Sequence, residues 1–364
     1  MILYWQLQKQ KKLLKLIKNK QGTLMKIERK ALLKALETVK AGLGSATALE
    51  QTTAFAFARD KVATYNDSIS VATTIPGLDI SGAVSAQELW ALLNKLKSEI
   101  IELTITEHEV IVKAKKTEAG LALKEANLPL DEVLSDESKW KPLPSDFLEG
   151  IKIAAFSCAK DSTRPTLTCV HIRKDQVIES CDGYRITQFS LSKKLPIQKN
   201  LLIPASSLQA LAKFDVVEIA VVSKAAGWVK FKTEAGTVFA CRSFEAEYPD
   251  LSEAIKVQKG MIAIELPEEI IDGLGRASIF AKDSVNDEEL VSVTLKENQM
   301  IMSAKNEAGW ITDSIDVAYE DKELTFSTNP ALLSDIAKKI KTCQIGADKM
   351  IFTGDNWVHY ISLE

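Results

Sequence analysis

The chain has 364 residues, of which 46% are apolar and 26% are charged, and its formal net charge is −3. This length suits two or three domains, and no apolar run approaches the ~18–20 residues that a membrane-spanning helix needs. A protein that coats nucleic acid with its whole surface is basic, so this chain can bind DNA only through a segregated basic surface.

The first 24 residues differ in charge from the rest of the chain. They hold six lysines and no acidic residue, whereas the remainder holds 40 basic and 49 acidic groups. The lysines are interleaved with apolar residues and no small-residue cleavage site follows, which argues against a secretory signal peptide. We expect residues 1–24 to be a disordered basic extension and folded structure to begin at Met25. A basic amphipathic helix that touches a membrane or DNA is the alternative.

Six segments with the apolar periodicity of helices follow. In chain order they are KIERKALLKALETV from Lys26, SAQELWALLNKLK from Ser85, PSDFLEGIKIAAFSCA from Pro144, PASSLQALAKF from Pro204, LPEEIIDGLGRASIFA from Leu266 and NPALLSDIAKKIK from Asn329. Alternate segments resemble one another, and their starts are 118 to 125 residues apart. This spacing predicts three repeated units of about 120 residues with two helices each.

Between the helices, several stretches alternate apolar and polar residues, as half-buried antiparallel strands do. They are AFAFARDKVATY, VVEIAVV, WVKFKTEAGTVFA and LVSVTLKENQMIMSA, and the string KTEAG occurs at both 116–120 and 232–236. The pattern predicts an α+β fold with three domains, residues 25–142, 143–258 and 259–364, divided at two polar, linker-like stretches.

The segment CDGYRITQFS, residues 181–190, follows a predicted turn at 173–176 and a short strand. Asp-Gly is a common hairpin turn. From the residues alone, Asp182-Gly183-Tyr184-Arg185 could be a simple turn, a catalytic loop or a surface that a partner touches.

No familiar catalytic, metal or cofactor motif occurs in the chain. Phosphate-binding, dinucleotide-binding, zinc-protease and serine-hydrolase motifs are missing, so we expect no catalytic residue, metal or cofactor. The three histidines are far apart, and each is expected to be a strand residue with a local hydrogen bond. The five cysteines form no C-x-x-C pair, which favours buried free thiols in a reducing cytoplasm over zinc or disulfides.

Most predicted helices carry basic residues opposite their apolar stripe. The third is less regular, because Ile153 and Phe156 share the side of Lys152. A solvated helix face commonly carries lysine, so one lysine alone identifies nothing. Basic faces on five or six helices of an otherwise acidic chain predict a DNA-facing surface.

From Met25 to Glu364 the chain resembles one family, the bacterial DNA polymerase III beta subunits, which are replication sliding clamps. The similar segments, in order, are MKIERKALLKAL, TRPTLTCVHI, CDGYRITQFS, EYPDLSEAI and GRASIFAKD. Similarity elsewhere is modest, as in a divergent member carried by a phage or another mobile element. The resemblance implies three clamp-type domains, each with two helices on antiparallel sheets, and two chains that close a ring around double-stranded DNA.

The resemblance also implies a cytoplasmic, non-catalytic processivity factor. Its partners would be a DNA polymerase, a clamp loader and other proteins with clamp-binding peptides. The DNA-binding residues would be Lys30, Lys34, Lys95, Arg164, Lys213, Arg276, Lys338 and Lys341. Leu121 and Leu123 would face Ile279 and Phe280 across the homodimer interface.

A partner-peptide pocket is implied between the second and third domains. By position it would use Leu167, Cys181, Gly183, Tyr184, Arg185, Ile186, Pro249, Ala254, Tyr360, Ile361 and Ser362. The chain departs from the family pattern here: Cys181 replaces Thr, Tyr184 replaces His, and Glu253 stands where Arg is common. We therefore expect a weaker or altered peptide preference.

Two other functions remain compatible with the residues. A DNA-modifying enzyme with an unrecognised site predicts acidic residues converging in a pocket. A repeat scaffold that binds partner peptides without DNA predicts that the basic helix faces do not converge.

Overall fold

The computed structural model describes residues 23–45, 50–128, 139–161, 163–221, 227–282 and 289–364. Most of the predicted basic extension, 1–22, and most of the predicted first linker, 129–138, lie outside the described residues. Within the described ranges, no helix is long and apolar enough to cross a membrane.

Each of the six segments predicted as helical contains a helix. These are α1 (Arg29–Val39), α2 (Ala86–Lys95), α3 (Phe147–Ala154), α4 (Ala205–Leu211), α5 (Ile270–Ala277) and α6 (Pro330–Ala337). Short 3₁₀ turns extend α3 over Ala155–Ser157 and α5 over Ser278–Phe280. The first prediction began too early, because 23–28 form a strand in which Met25 and Ile27 are buried and their neighbours are exposed.

The contacts divide the chain into two compact units. Unit 1 comprises Met1–Leu143 and Ala210–Ser243, and unit 2 comprises Pro144–Gln209 and Phe244–Glu364. Each unit contains an eight-stranded sheet built from strands of two predicted domains. The division into three domains stays a prediction.

Unit 1 contains a four-stranded and an eight-stranded sheet, both antiparallel. The first has the order β1 (Thr23–Glu28), β6 (Ile100–Ile105), β7 (Glu109–Ala114), β8 (Thr117–Ala122). The second has the order β5 (Ile80–Ser85), β2 (Ala54–Arg59), β3 (Lys61–Asn66), β4 (Ile69–Thr74), β16 (Val238–Arg242), β15 (Trp228–Thr233), β14 (Val216–Val221), β9 (Lys141–Pro142).

Unit 2 has the same combination of sheets. Its eight-stranded sheet has the order β13 (Leu201–Pro204), β10 (Cys169–Ile172), β11 (Val177–Cys181), β12 (Arg185–Ser190), β24 (Trp357–Ser362), β23 (Lys349–Thr353), β22 (Thr342–Ile345), β17 (Ile262–Glu265). Its four-stranded sheet has the order β20 (Gly309–Asp316), β19 (Gln299–Asn306), β18 (Val291–Lys296), β21 (Leu324–Thr328).

A large core lies in unit 2, where α5 and α6 pack together and α5 packs on β19 and β20. Its buried side chains include Leu274 and Ala277 of α5, Leu333 and Ile336 of α6, and Met302 of β19. The apolar stripes that the sequence predicts for these two helices therefore do face the protein interior.

The predicted strands exist, but not all are half-buried. Strand β18 does alternate between buried and partly exposed residues. By contrast, the first four residues of β2 are all buried, as are the four central residues of β3. Strands covered on both faces lose the alternating pattern of burial.

Two further predictions concern thiols and histidines. All five cysteines are free and buried, as expected. His171 lies on β10 and His359 on β24, and each has a side-chain hydrogen bond. The expectation for His108 is wrong, because it lies in the exposed turn between β6 and β7.

Candidate functional site

The CDGYR segment forms the hairpin turn between β11 and β12. Asp182 Oδ1 accepts hydrogen bonds from the backbone N–H groups of Tyr184 and Arg185, at 3.0 and 2.9 Å. Gly183 has a φ of +100°, which other residues rarely adopt. The turn leaves the Tyr184 side chain 61% exposed, so the segment is both a turn and an accessible surface.

One face of the adjoining strands carries an apolar cluster. Its buried members are Leu167, Cys181, Ile186, Leu251, Ile351 and Tyr360. Ile186 is paired with Cys181 across one strand boundary and with Tyr360 across the other, so these three side chains share a face. Four residues predicted for the pocket therefore lie together, although Tyr360 is distant from the others in sequence.

The structure corrects the expected positions of Arg185 and Ile361. They pair with each other across β12 and β24, one residue out of step with Ile186 and Tyr360, so they face the opposite side of the sheet. Ile361 is 1% exposed and packs in the core of unit 2. The resemblance implied that both residues join Ile186 in one pocket, whereas in the structure they lie on the face of the sheet opposite Ile186.

The Arg185 side chain is occupied on its own side of the sheet. It is 6% exposed, and its Nε donates to Asp182 Oδ2 at 2.9 Å. Its guanidinium carbon lies 4.7 Å from the centre of the Phe156 ring, and its Nη1 lies 3.7 Å from Asp335. From this position it fixes the turn and cannot hold a peptide bound on the other face.

A cavity of about 210 Å³ lies beside the exposed turn. It brings together Tyr184 and Ser362, both of which were predicted for the pocket. Its other lining residues are Glu289, Leu290, Ser327, Thr328, Asn329, Leu332 and Glu364. None of these residues was expected in the pocket, because no motif of the sequence links the start of α6 to the hairpin turn.

The segment that contains Pro249 and Ala254 is tied to the eight-stranded sheet of unit 2. Both residues are exposed. Lys349 Nζ donates to the backbone oxygen atoms of Ala254 and Lys256, at 2.8 and 3.2 Å. The Cys181 backbone N–H donates to the Tyr248 hydroxyl at 2.8 Å. These contacts hold the two predicted residues near the apolar cluster, and the analysis missed Lys349 and Tyr248.

A buried charge network supports the same strands. Glu179 accepts hydrogen bonds from His171 at 2.8 Å and from Gln188 at 2.7 Å, and Arg173 lies nearby. Burial raises the pKa of Glu179, but the hydrogen bonds and the charge of Arg173 outweigh it, so the pKa lies below its usual value. The carboxylate therefore stays ionised and keeps its partners.

The predicted DNA-binding residues fall into two groups. Lys30, Lys34, Lys95 and Lys213 are exposed, and they have no carboxylate partner among the described residues. Lys30 and Lys34 lie one turn apart on α1, so their side chains share a face. These four lysines are available to bind phosphate.

The other predicted DNA contacts are less available. Arg276 is held by Asp313 at 2.6 Å, Lys341 is largely buried and paired with Glu268, and Lys338 lies 3.9 Å from Asp335. Arg164 is exposed, but its guanidinium lies beside the hairpin turn, 3.6 Å from where a Cβ on Gly183 would be.

The predicted dimer-interface residues differ in exposure. Ile279 is 68% exposed, whereas the Phe280 ring packs against Gly309. Trp310, on the edge strand β20, is 70% exposed and was missed. In unit 1, Leu121 lies on the edge strand β8, and Leu121 and Leu123 are half-buried.

Among the described residues, no three His, Cys, Asp or Glu side chains are placed so that they could share a metal ion.

No protein-family model matches the chain, but one known protein is similar to it in sequence. The beta sliding clamp of Bacillus subtilis (strain 168) is 25% identical over 277 residues, which are 72% of this chain and 71% of that protein.

Solved structures match more of the chain. The DNA polymerase III beta chain of Streptococcus pneumoniae has a TM-score of 0.79 at 20% identity, covering 94% of this chain and 99% of that one. The Bacillus subtilis sliding clamp has a TM-score of 0.78 with the same identity and coverage. These likenesses describe the fold. Together with the ordered motifs, they make the chain similar in sequence to a bacterial beta sliding clamp and similar in fold to DNA polymerase III beta subunits.

Proposed function

We propose that this protein is a DNA sliding clamp. It encircles duplex DNA without reading its sequence and acts as a processivity factor, tethering a DNA polymerase and other partners. It catalyses no reaction. The observation that carries this proposal is the match of the fold to nearly the whole length of clamp chains.

The exposed lysines of α1 and α2, with Lys213 after α4, support contact with DNA. Lysine side chains bind phosphates and carry no sequence information, so the protein can slide. Tethering gives a partner a high effective concentration at its template without any new contact.

The apolar cluster and the cavity beside Tyr184 support binding of a partner peptide. The cluster offers apolar area to an anchor side chain, and the cavity offers polar groups that orient the chain of the peptide. The partners on this proposal are a DNA polymerase, a clamp loader and other proteins with clamp-binding peptides.

We place the protein in the cytoplasm as a homodimer. The five buried free thiols suit a reducing compartment. The exposed Ile279 and Trp310 supply an apolar edge in unit 2, and the edge strand β8 with Leu121 supplies the surface that would receive it in the second copy.

A scaffold that binds peptides without DNA is the second candidate. The observation that favours it is the pairing of Arg276, Lys338 and Lys341 with acidic groups, which leaves fewer free basic residues than the sequence predicts.

One experiment separates the two candidates. The protein is loaded onto a nicked circular plasmid with a bacterial clamp loader, and the complex is isolated by gel filtration. A clamp stays with the circle and is released when a restriction enzyme cuts it, because it slides off the ends. A scaffold does not remain with the plasmid in either form, and a simple DNA-binding protein remains with both.

A further inference from the structure

A second cavity, of about 310 Å³, lies in unit 2 on the face of the eight-stranded sheet opposite the apolar cluster. Two aromatic side chains, Phe156 and Trp357, and two aliphatic ones, Ile153 and Ile336, form its walls. Ile336 belongs to α6, and Ile153 and Phe156 belong to α3 and its extension. The cavity therefore opens beside helices, and no member of the apolar cluster lines it.

One side chain that lines this cavity has a hydrogen-bonding atom without a partner among the described residues. His359 lines the cavity and is completely buried. Its Nδ1 lies 2.8 Å from the Thr187 hydroxyl, and its Nε2 has no hydrogen-bond partner among the described residues. Burial and the charge of Arg185 lower the pKa of His359 to about 3, so the ring is neutral at physiological pH and offers a single site for a bond.

The rim of the cavity is basic. Lys339 lines it, and its Nζ lies 5.3 Å from the centre of the Phe156 ring. Lys339 has no carboxylate partner in the part of the chain that the structure describes. Lys152 is exposed on α3, next to Ile153 in sequence. The acid on this side, Asp335, is already shared by Arg185 and Lys338.

We propose that this cavity binds one unpaired nucleobase of a DNA strand. The base stacks on the Phe156 ring, and the Lys339 ammonium moves away from that ring to bind the phosphate on one side of the nucleotide. Lys152 binds the phosphate on the other side. The inference rests on the proposed function, because it requires a DNA strand to run along the helices of unit 2.

A nucleobase fits these features better than an aliphatic or peptide group does. Its flat face suits the Phe156 ring, which now holds the cations of Arg185 and Lys339, and every base can stack on an aromatic ring. Its edge carries donors and acceptors for His359 Nε2. No solvent reaches His359 in the structure, so this hydrogen bond requires a movement of the Phe156 ring, whose centre lies 5.5 Å from that of the His359 ring.

The test uses the whole protein and an oligothymidylate that carries one central 2-aminopurine, whose fluorescence falls when it stacks. We expect quenching on binding. Phe156→Leu, which keeps an apolar side chain but no aromatic face, should weaken binding about tenfold. Lys339→Gln should weaken it and lower the slope against log salt by about one.

Phe244→Leu is the matched control, since Phe244 is a 45% exposed phenylalanine of unit 2 outside the cavity. It should bind like the wild type, and an oligothymidylate with an abasic site in place of 2-aminopurine should bind more weakly to the wild type. Lys339 is exposed, so its variant keeps the test valid even if Phe156→Leu folds poorly.

Three results would overturn the assignment. The first is unchanged 2-aminopurine emission at saturating protein, and the second is wild-type affinity in both variants. The third is a free deoxynucleoside monophosphate that competes as well as the oligonucleotide, since the strand's phosphates would then add nothing. Plasmid retention of the wild type is measured in parallel, so a failure of the clamp function is recognised separately.

Discussion

Tyr184 and Arg185 are adjacent in sequence, but their side chains differ in exposure and in the groups that they contact. Tyr184 is exposed beside a cavity, whereas the Arg185 guanidinium is buried against Phe156 and Asp182. Tyr184 lies in the turn and Arg185 begins β12, so the exposed ring and the buried guanidinium have different partners. This assignment makes Tyr184 the better residue for testing the peptide pocket.

We predict that Tyr184→Ala lowers the affinity for a polymerase-derived clamp-binding peptide by roughly 1–3 kcal/mol, because an aromatic contact is lost. The side chain is exposed, so the fold should be unaffected. Peptide titration by calorimetry measures the change. Phe244→Ala, which removes another exposed aromatic residue of unit 2, is the control and should bind as the wild type does. Equal loss in both variants would contradict the placement of the pocket.

The buried His359 leads to a second prediction at the residue scale, which concerns the dependence of stability on pH. Its pKa in the folded protein, about 3, is lower than the usual value of 6.5. The unfolded chain therefore binds the proton more readily, and stability is full at neutral pH and is lost as the pH falls from about 6.5 towards 3. Between pH 7.5 and 5 this group alone costs on the order of 2 kcal/mol of unfolding free energy.

The measurement is urea unfolding at the two pH values for the wild type and for His359→Gln. The variant lacks the titrating ring, so its stability should fall less between pH 7.5 and 5, whatever its absolute value. The same decrease in both proteins would show that His359 does not take up a proton on unfolding in this range.

At the scale of elements, the last strand, β24, cannot be treated as a removable tail. The sequence analysis placed Ile361 in the pocket, which would make deletion of 361–364 a test of peptide binding. In the structure Ile361 and Leu363 are buried in the core of unit 2, and Glu364 and Ser327 exchange two backbone hydrogen bonds. Deleting these residues therefore removes core packing as well as one edge of the cavity, so point variants are needed.

The turn after α5 supplies a prediction for the dimer. We expect Ile279→Glu to yield monomers, because a charge would have to be buried in the proposed apolar interface, where an unpaired charge is costly. Mass in solution, measured by light scattering, reports the result. Val257→Glu is the control, since Val257 is equally exposed at 68% but lies outside the predicted edge. A dimer that survives Ile279→Glu would show that this edge is not the interface.

At the scale of the whole molecule, the lysines Lys34 and Lys95 of two helices differ from the lysines of two sheet strands in whether a carboxylate lies nearby. Lys34 of α1 and Lys95 of α2 are exposed without carboxylate partners in the described ranges, whereas Lys26 and Lys113, on sheet strands, lie near Glu102 and Glu118. Lys34 and Lys95 are therefore better placed than Lys26 and Lys113 to exchange counterions for phosphates. Salt dependence measures that exchange directly.

We predict that changing both Lys34 and Lys95 to Glu shortens retention on circular plasmid and lowers the slope of duplex binding against log salt by about two. Changing both Lys26 and Lys113 to Glu alters net charge equally but should leave retention close to that of the wild type. If the two double variants behave alike, net charge and not the helix faces controls DNA binding.

By itself, the sequence determined the features that depend on neighbouring residues. Helix periodicity located the six helices that the described residues form, Asp182 and Gly183 marked the hairpin turn, and the ordered motifs indicated the similarity to sliding clamps. These signals are local, because a helix face and a turn are set by residues a few positions apart.

Only the tertiary structure decided which face each functional side chain occupies and which charges are already paired. Arg276 and Asp313 are 37 residues apart in sequence, and nothing in the sequence near Arg276 indicates that partner. Tyr360 joins Ile186 only because β24 pairs with β12 in one register, and a shift by one residue would send Tyr360 to the other face. The pocket, the ion pairs and the second cavity all depend on such long-range pairing, which the periodicity of individual segments does not encode.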